Sequence, residues 1–207
     1  MARGTLAFAA WVWIAVAGAA CSDGAVETAN PPVAGAPSSD DWTVLLDGTS
    51  LDGWRPVGDA NWRVLDGVVQ ADSGNGFLVS EASFANFELE AEFWVDATAN
   101  SGIYLRCADA QAITPQSSYE VNIFDARPDP TFRTGAIVEL APPAVQIDAA
   151  NHWNTYSIRA SGPNLTVTLN GSVTADVEDS KFARGPVALQ AAAGVVKFRK
   201  VQIRELP

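Results

Sequence analysis

The segment Phe87–Val95 reads FELEAEFWV and alternates apolar with mostly acidic residues along its whole length. Successive side chains of a β-strand point to opposite faces of its sheet, so this spacing predicts a strand with one apolar and one charged face. Glutamates at every second position are the usual solvated face of an antiparallel sheet. A ligand-binding cluster of glutamates is the alternative interpretation.

The same period of two recurs further along the chain. Leu165–Leu169 and Val173–Val177 show it on either side of Asn170-Gly171, a pair that favours the type I′ turn of a two-residue hairpin. In Val196–Ile203 the apolar phase changes, which predicts a β-bulge near Arg199. Strands at intervals of roughly 8–12 residues, punctuated by Gly, Pro and Asn, predict an all-β sandwich or jelly roll.

The first residues predict export from the cytoplasm. Leu6–Ala20 is apolar, follows Arg3 and is too short for a stable membrane span, so residues 1–20 are predicted to be a signal peptide. Cys21 follows small residues in a way that resembles the bacterial lipobox, whose cysteine is lipidated. We therefore expect a lipid anchor on Cys21 and a location in the bacterial cell envelope, periplasmic or at the outer surface. Ordinary signal cleavage is the alternative, since Gly18 stands where the lipobox usually has leucine.

Composition separates a tether from a domain. Residues 21–41 are rich in Pro, Ala, Gly and Ser and are predicted to be a disordered tether, which leaves residues 42–207 for one domain with its own core. The formal net charge is −11, and removing residues 1–20, with one Arg and no acid, makes it −12. An acidic chain disfavours nucleic acid as a partner and leaves neutral sugars as candidates.

Few residues could hold a cofactor. The chain has two cysteines and one histidine. With Cys21 lipidated, Cys107 has no disulfide partner, and its phase with the preceding apolar residues predicts a small core residue. No metal site is predicted and no cofactor is evident. A divalent cation stays an open alternative, because turn residues beside glycines are sites where structural calcium binds. These turn residues are Asp47, Asp52 and Asp66.

A second alternating region carries polar residues inside apolar strands. Asn100–Cys107 reads NSGIYLRC and Tyr119–Asp125 reads YEVNIFD. Every second residue of each segment points to one face, opposite the apolar positions. The polar and aromatic members of that face are Tyr104, Arg106, Glu120, Asn122 and Phe124. If the two strands are neighbours, these side chains converge on an open sheet face suited to a polyhydroxylated ligand.

Short motifs run through the chain in a fixed order. Val44–Trp54 reads VLLDGTSLDGW, and the later motifs are Asn100–Ile103, Tyr119–Val121, Thr134–Ile137, Trp153–Tyr156, Leu169–Gly171 and Gly185–Val187 with Gln190. From Trp42 to Leu206 the set resembles the 3-keto-disaccharide hydrolase family, whose opening is LF-(N/D)-G-x-x-L-x-G-W. The resemblance implies a concanavalin A-like jelly-roll sandwich of two antiparallel sheets. It also implies cleavage of 3-keto-glycosides, as a hydrolase or as a 1,2-lyase and hydratase pair.

Two positions depart from the family pattern. Asn122 stands where the family often has Gln, which shortens the side chain by one methylene. Val138-Glu139 stands where the family often has Tyr-Gly, which removes an aromatic ring. Both departures leave the substrate range open.

The implied chemistry assigns candidate roles. A ketone at C3 acidifies the C2 proton, so the glycosidic bond can break by proton abstraction and elimination. Glu120 is the candidate base, Arg106 and Asn122 are candidate donors to the enolate, and Asp125 is the candidate acid or water-positioning group. A conventional glycosidase would also use two carboxylates. The predicted sugar contacts are Asn100, Tyr104, Asn122, Trp153 and Gln190.

Structural interpretations stand beside these roles. Arg106 and Glu120 could form a cross-strand ion pair, and Trp153 could be a packing residue. At the level of the whole protein, the alternatives to an enzyme are a carbohydrate-binding module and a scaffold lipoprotein whose sheet face binds a protein or an envelope polymer.

Overall fold

The computed structural model describes Met1 and residues 41–207. The predicted signal peptide, Cys21 and nearly all of the predicted tether lie outside the described residues. The strands are β1 (Thr43–Leu46), β2 (Trp54–Gly58), β3 (Arg63–Leu65), β4 (Val68–Ala71), β5 (Gly76–Ser80), β6 (Phe87–Val95), β7 (Asn100–Leu105), β8 (Tyr119–Ile123), β9 (Trp153–Ser161), β10 (Asn164–Leu169), β11 (Ser172–Glu178), β12 (Ala188–Ala193) and β13 (Val196–Glu205). Pro130–Phe132 forms one turn of 3-10 helix. Within residues 41–207, no helix is long and apolar enough to span a bilayer.

The strands form two sheets. The eight-stranded sheet has the order β11-β10-β9-β6-β13-β4-β3, with β1 paired to β13, and the five-stranded sheet has the order β2-β5-β12-β7-β8. Neighbouring strands in both sheets are antiparallel. The predicted all-β sandwich of two antiparallel sheets is confirmed.

Strand β6 is central to the larger sheet and pairs with β9 and β13. Its apolar side chains are buried, and Phe93 stacks on Tyr156 of β9 with ring centroids 5.0 Å apart. Its glutamates face outward: Glu88 accepts from Arg159 and Arg204, Glu92 from Arg199, and Glu90 from the uncharged Gln202. The glutamate face is thus the charged outer face of an antiparallel sheet, as the structural interpretation predicts.

Two local predictions are also confirmed. Asn170 and Gly171 have φ angles of 49° and 82°, the two positive values that a type I′ turn requires. The pairing of β13 with β6 shifts register between Phe198 and Lys200, at the predicted bulge. This shift lets the apolar residues on both sides of the bulge face the same core.

The Asn170-Gly171 turn yields a test of the fold. Replacing both residues with Val forces two β-branched residues into the left-handed region, at roughly 1–2 kcal/mol each. It also removes two hydrogen bonds, one that the Thr155 amide donates to Asn170 Oδ1 and one that Asn170 Nδ2 donates to Asn154 Oδ1. We expect urea unfolding to show a loss of at least about 2 kcal/mol, against a small change for the exposed strand residue in Ser172→Val. Equal stability of the two variants would contradict the turn assignment.

Candidate functional site

The outer face, meaning the surface of the five-stranded sheet turned away from the larger sheet, is built by alternation in β7, β8 and β12. Ile103, Leu105 and Val121 of β7 and β8 point inward to the core between the sheets. Their neighbours point outward. Register places Tyr104 opposite Glu120, and Gly102 between Asn122 and Gln190. The outward residues of the three strands are Gly102, Tyr104, Glu120, Asn122, Ala188 and Gln190.

Glu120 is a carboxyl group almost closed to solvent, with 6% of its surface exposed. Burial raises the pKa of Glu120 to about 7, although the hydrogen bond from Tyr104 and the charge of Arg127 oppose the shift. The negative charge of Glu139 raises the pKa of Glu120 further. A carboxyl group with this pKa can both take and return a proton near neutrality.

Tyr104 links Glu120 to Gln190. Its phenol donates to the Glu120 carboxylate and accepts from Gln190 Nε2 at 3.1 Å. Its ring packs edge-on against Phe77, with centroids 5.1 Å apart. Burial, and next the charge of Glu120, raises the pKa of Tyr104 above its ordinary value, so the phenol keeps its proton and holds the carboxylate in place.

Gly102 gives the Glu120 carboxyl its position. A Cβ at Gly102 would lie 3.4 Å from Glu120 Oε1 and 3.3 Å from the carbonyl oxygen of Val121. The carboxyl therefore leans across β7 over a residue without a side chain. Asn122 and Gln190 flank the same position, and in each the amide oxygen is buried and lacks a hydrogen-bond partner within the described residues.

Loops cover much of this face. Ile113 of the β7–β8 connection packs on Tyr104. In the loop after β8, the carbonyl oxygen of Phe132 accepts a hydrogen bond from Asn122 Nδ2. Asn100 is the first residue of β7 and lies two residues before Gly102, so it points to the same outer face, where it is half-buried. The predicted contacts Asn100, Tyr104, Asn122 and Gln190 are thus brought to one face with Glu120.

Arg106 is not part of this face, so the structure does not bring it together with Glu120 and Asn122 as the strand phase predicts. The residue has a φ of 51°, which ends the alternation of β7. Its guanidinium is buried and donates to the carbonyl oxygens of Ala85, Gly162 and Phe182. The same turn places Cys107 in the cluster around Tyr104 instead of in the core of the sandwich, and burial raises the pKa of its thiol to about 12.

Asp125 and Trp153 also have other positions than predicted. Asp125 Oδ1 accepts from Thr134, and Oδ2 accepts from the amides of Ala149 and Ala150 at 2.8 and 2.9 Å, so this carboxylate ties loops together. Trp153 lies on the outside of the eight-stranded sheet, under the guanidinium of Arg199 at 4.3 Å. It cannot stack on a sugar that contacts Glu120, because the two residues belong to different sheets.

Arg127 is a residue that the strand pattern does not reveal. It lies half-buried in the loop after β8, and its charge reaches Glu120. A hollow of about 380 Å³ lies elsewhere, on the larger sheet beside Trp42, and its Glu88 is paired with Arg159 and Arg204. Among residues 41–207, no group of three His, Cys, Asp or Glu side chains is arranged to hold a metal ion.

The chain is similar to a known family and to one characterised relative. Residues 41–204 match the 3-keto-alpha-glucoside-1,2-lyase-like domain. A 3-keto-disaccharide hydrolase of Bacteroides thetaiotaomicron is 32% identical over 32% of this chain and 27% of that protein. The chain thus matches about a quarter of the length of this curated relative.

Solved structures share the fold. A candidate glycosyl hydrolase of Parabacteroides distasonis has a TM-score of 0.72 at 18% identity, over 80% of this chain and 94% of that chain. A carbohydrate-binding module of Bacillus subtilis has a TM-score of 0.60 at 22% identity, over 74% and 96%. These similarities confirm the jelly-roll expectation and concern the fold alone.

The burial of Glu120 yields a test that needs no substrate. Its pKa is raised in the folded chain from 4.5 to about 7, so its stabilising contribution is full below pH 4.5 and is lost as the pH rises through about 7. The full change is roughly 3 kcal/mol. In Glu120→Gln this loss should vanish, so the variant becomes more stable than the parent in alkaline solution. Urea unfolding across pH measures it, with Glu90→Gln on the other sheet as control, and parallel profiles for parent and Glu120→Gln would contradict the assignment.

Proposed function

The chain belongs to the 3-keto-alpha-glucoside-1,2-lyase-like family, and from this premise we propose that it cleaves glycosides oxidised to a ketone at C3. The observation that carries the proposal is the buried carboxyl of Glu120, which lies on the outer face beside Tyr104. Burial raises the pKa of this carboxyl to about 7. The name of the Bacteroides relative supports the same substrate class.

The proposed reaction starts at C2 of the oxidised sugar. The ketone at C3 acidifies the C2 proton, and the Glu120 carboxylate takes that proton to give an enolate. The electron pair then forms the C1–C2 double bond as the C1–O bond breaks, and the departing oxygen receives a proton. Addition of water across the double bond would complete a net hydrolysis.

Proton delivery is assigned to Glu120 as well. Once it has taken the C2 proton, it is a neutral acid held by Tyr104 close to the leaving oxygen. Asp125 is not positioned for this step, because both of its oxygens accept hydrogen bonds from Thr134 and two backbone amides. The same bonds argue against a mechanism that pairs Glu120 and Asp125 as two glycosidase carboxylates.

The enolate oxygen needs a positive or hydrogen-bonding partner. Arg106 is committed to loop carbonyls, whereas Arg127 has a charge that reaches Glu120. We therefore assign this role to Arg127 as part of the proposal. No cofactor is required for the elimination, and a divalent cation at the enolate is the alternative that treatment with a chelator would reveal.

A carbohydrate-binding module is the second candidate function. The likeness of the fold to the Bacillus module favours it. The two functions differ in one measurable respect. An enzyme consumes a 3-keto-glycoside with time, whereas a module binds it to saturation and leaves it intact.

Glu120→Gln separates these functions. The amide keeps the size of the side chain and cannot take the C2 proton, so turnover of a 3-keto-glucoside should fall by roughly 100-fold or more. In the parent, the rate should rise as the pH increases through about 7, because the carboxylate is the active form. Glu90→Gln, a matched change on the other sheet, should leave the rate unchanged. Equal rates for Glu120→Gln and parent would remove Glu120 as the base, and no turnover by the parent would favour the binding module.

We also propose that the domain is anchored in the bacterial envelope through lipid on Cys21, which follows a short apolar segment in the sequence. Cys21→Ser should release the protein from membranes or block its processing. Cys107→Ala, which changes the other cysteine, should leave the anchor intact. Detergent partitioning and the mass of the mature N-terminal peptide measure the outcome, and a parent protein that starts elsewhere without lipid would refute the anchor.

A further inference from the structure

Two buried acceptors on the outer face lack donors. Asn122 is fully buried, and its Nδ2 donates to Phe132 while its Oδ1 has no partner within the described residues. Gln190 Nε2 donates to Tyr104, and its Oε1 likewise has none. Buried acceptors without a donor are rare in folded proteins, so two on one face indicate a missing ligand or water.

The two amide oxygens belong to one row of the sheet. Gln190 of β12 and Asn122 of β8 are both paired with Gly102 of β7, one from each side. Neighbouring strands are about 4.8 Å apart, so the backbones that carry these amides are separated by about 9.6 Å. The carboxyl of Glu120 lies over the glycine between them.

We propose that Asn122 Oδ1 and Gln190 Oε1 form a hydroxyl clamp, in which each oxygen accepts a hydrogen bond from one hydroxyl of a sugar ring lying across Gly102. The inference rests on the proposed function and names what its site recognises. A 3-keto-hexoside keeps hydroxyl donors at C2, C4 and C6. Its ketone oxygen has no proton to donate and therefore faces away from both clamp oxygens.

The clamp also explains why the ring would sit against Glu120. A sugar held at both sides of Gly102 brings a ring carbon to the carboxyl that leans over this glycine. Tyr104 fixes the other side of the same carboxyl, so base and ring are positioned by neighbouring strands. Positioning of this kind lowers the entropic cost of proton transfer.

Access to Asn122 requires a movement of the loop after β8. The carbonyl oxygen of Phe132 occupies the donor side of the Asn122 amide. Asp125 and Thr134 are hydrogen-bonded to each other at the two ends of this loop, so the movement that we propose is confined to residues 126–133.

The test uses methyl glucoside in both anomers and its 2-, 4- and 6-deoxy analogues. These sugars lack the ketone, so calorimetry measures their binding to the unaltered protein without the proposed elimination. Removal of a clamped hydroxyl leaves a buried acceptor unpaired, and affinity should fall about 10-fold for two of the three analogues. Turnover of a 3-keto-glucoside, measured separately, reports on the proposed function.

Variants assign each hydroxyl to its partner. In Asn122→Leu, the loss of affinity caused by one missing hydroxyl should disappear. In Gln190→Met, the loss of affinity caused by the other missing hydroxyl should disappear, as in a double-mutant cycle. Asn122→Asp and Gln190→Glu keep an acceptor oxygen and should restore the penalty, which covers the case that Leu or Met perturbs the fold. Thr168→Val on the other sheet is the control and should change nothing.

Three results would overturn the clamp. The first is failure of methyl glucoside to bind, since its hydroxyls at C2, C4 and C6 are those of the oxidised sugar. The second is equal affinity for parent and deoxy sugars. The third is a penalty that persists in both Asn122→Leu and Gln190→Met, which would mean that the amides hold only water. In each case turnover of the 3-keto-glucoside by the parent would leave the proposed reaction standing.

Discussion

The structure depends on the requirement that two sheets bury one face of each strand against each other. In the five-stranded sheet, every second side chain of β7 and β8 therefore points into the core, including Ile103 and Val121. The intervening positions are left to the outer face. Because loops then cover part of that face, its polar residues are buried without belonging to the main core, and the site acquires low solvent exposure.

That environment gives Glu120 its chemistry and costs the fold stability. A buried carboxylate is disfavoured unless hydrogen bonds or cations compensate, and here Tyr104 and Arg127 compensate only in part. Gly102 contributes by having no side chain, since a Cβ would lie in contact with the carboxyl and only 3.3 Å from the carbonyl oxygen of Val121. A strand of small and apolar residues would be more stable, so this face is organised around a group that titrates near neutrality.

The sequence was sufficient to predict the sheet faces and insufficient to predict the loops. Alternation alone places Tyr104, Glu120, Asn122 and Gln190 on one phase of their strands, and these residues do meet. Arg106 has the same phase in the sequence, but its positive φ, which no local sequence pattern predicts, directs its side chain toward loop carbonyls instead. Trp153 has strand character, yet the sheet to which a strand belongs depends on pairing across long sequence separations. Asp125 and Arg127 lie in a loop, where no period relates sequence to direction.

The buried carboxyl also bears on the choice between enzyme and binding module. Sugar hydroxyls can be recognised by amides and phenols, which hydrogen-bond without titrating, as Asn122, Gln190 and Tyr104 would do here. A glutamine in place of Glu120 would serve a module equally well and would remove the desolvation cost of a charged group. A carboxyl with a pKa raised to about 7 by burial has a use that an amide lacks, namely proton transfer at neutral pH. Under the proposed function, the stability given up at Glu120 is the requirement of a general base, which a surface that only binds sugar does not have.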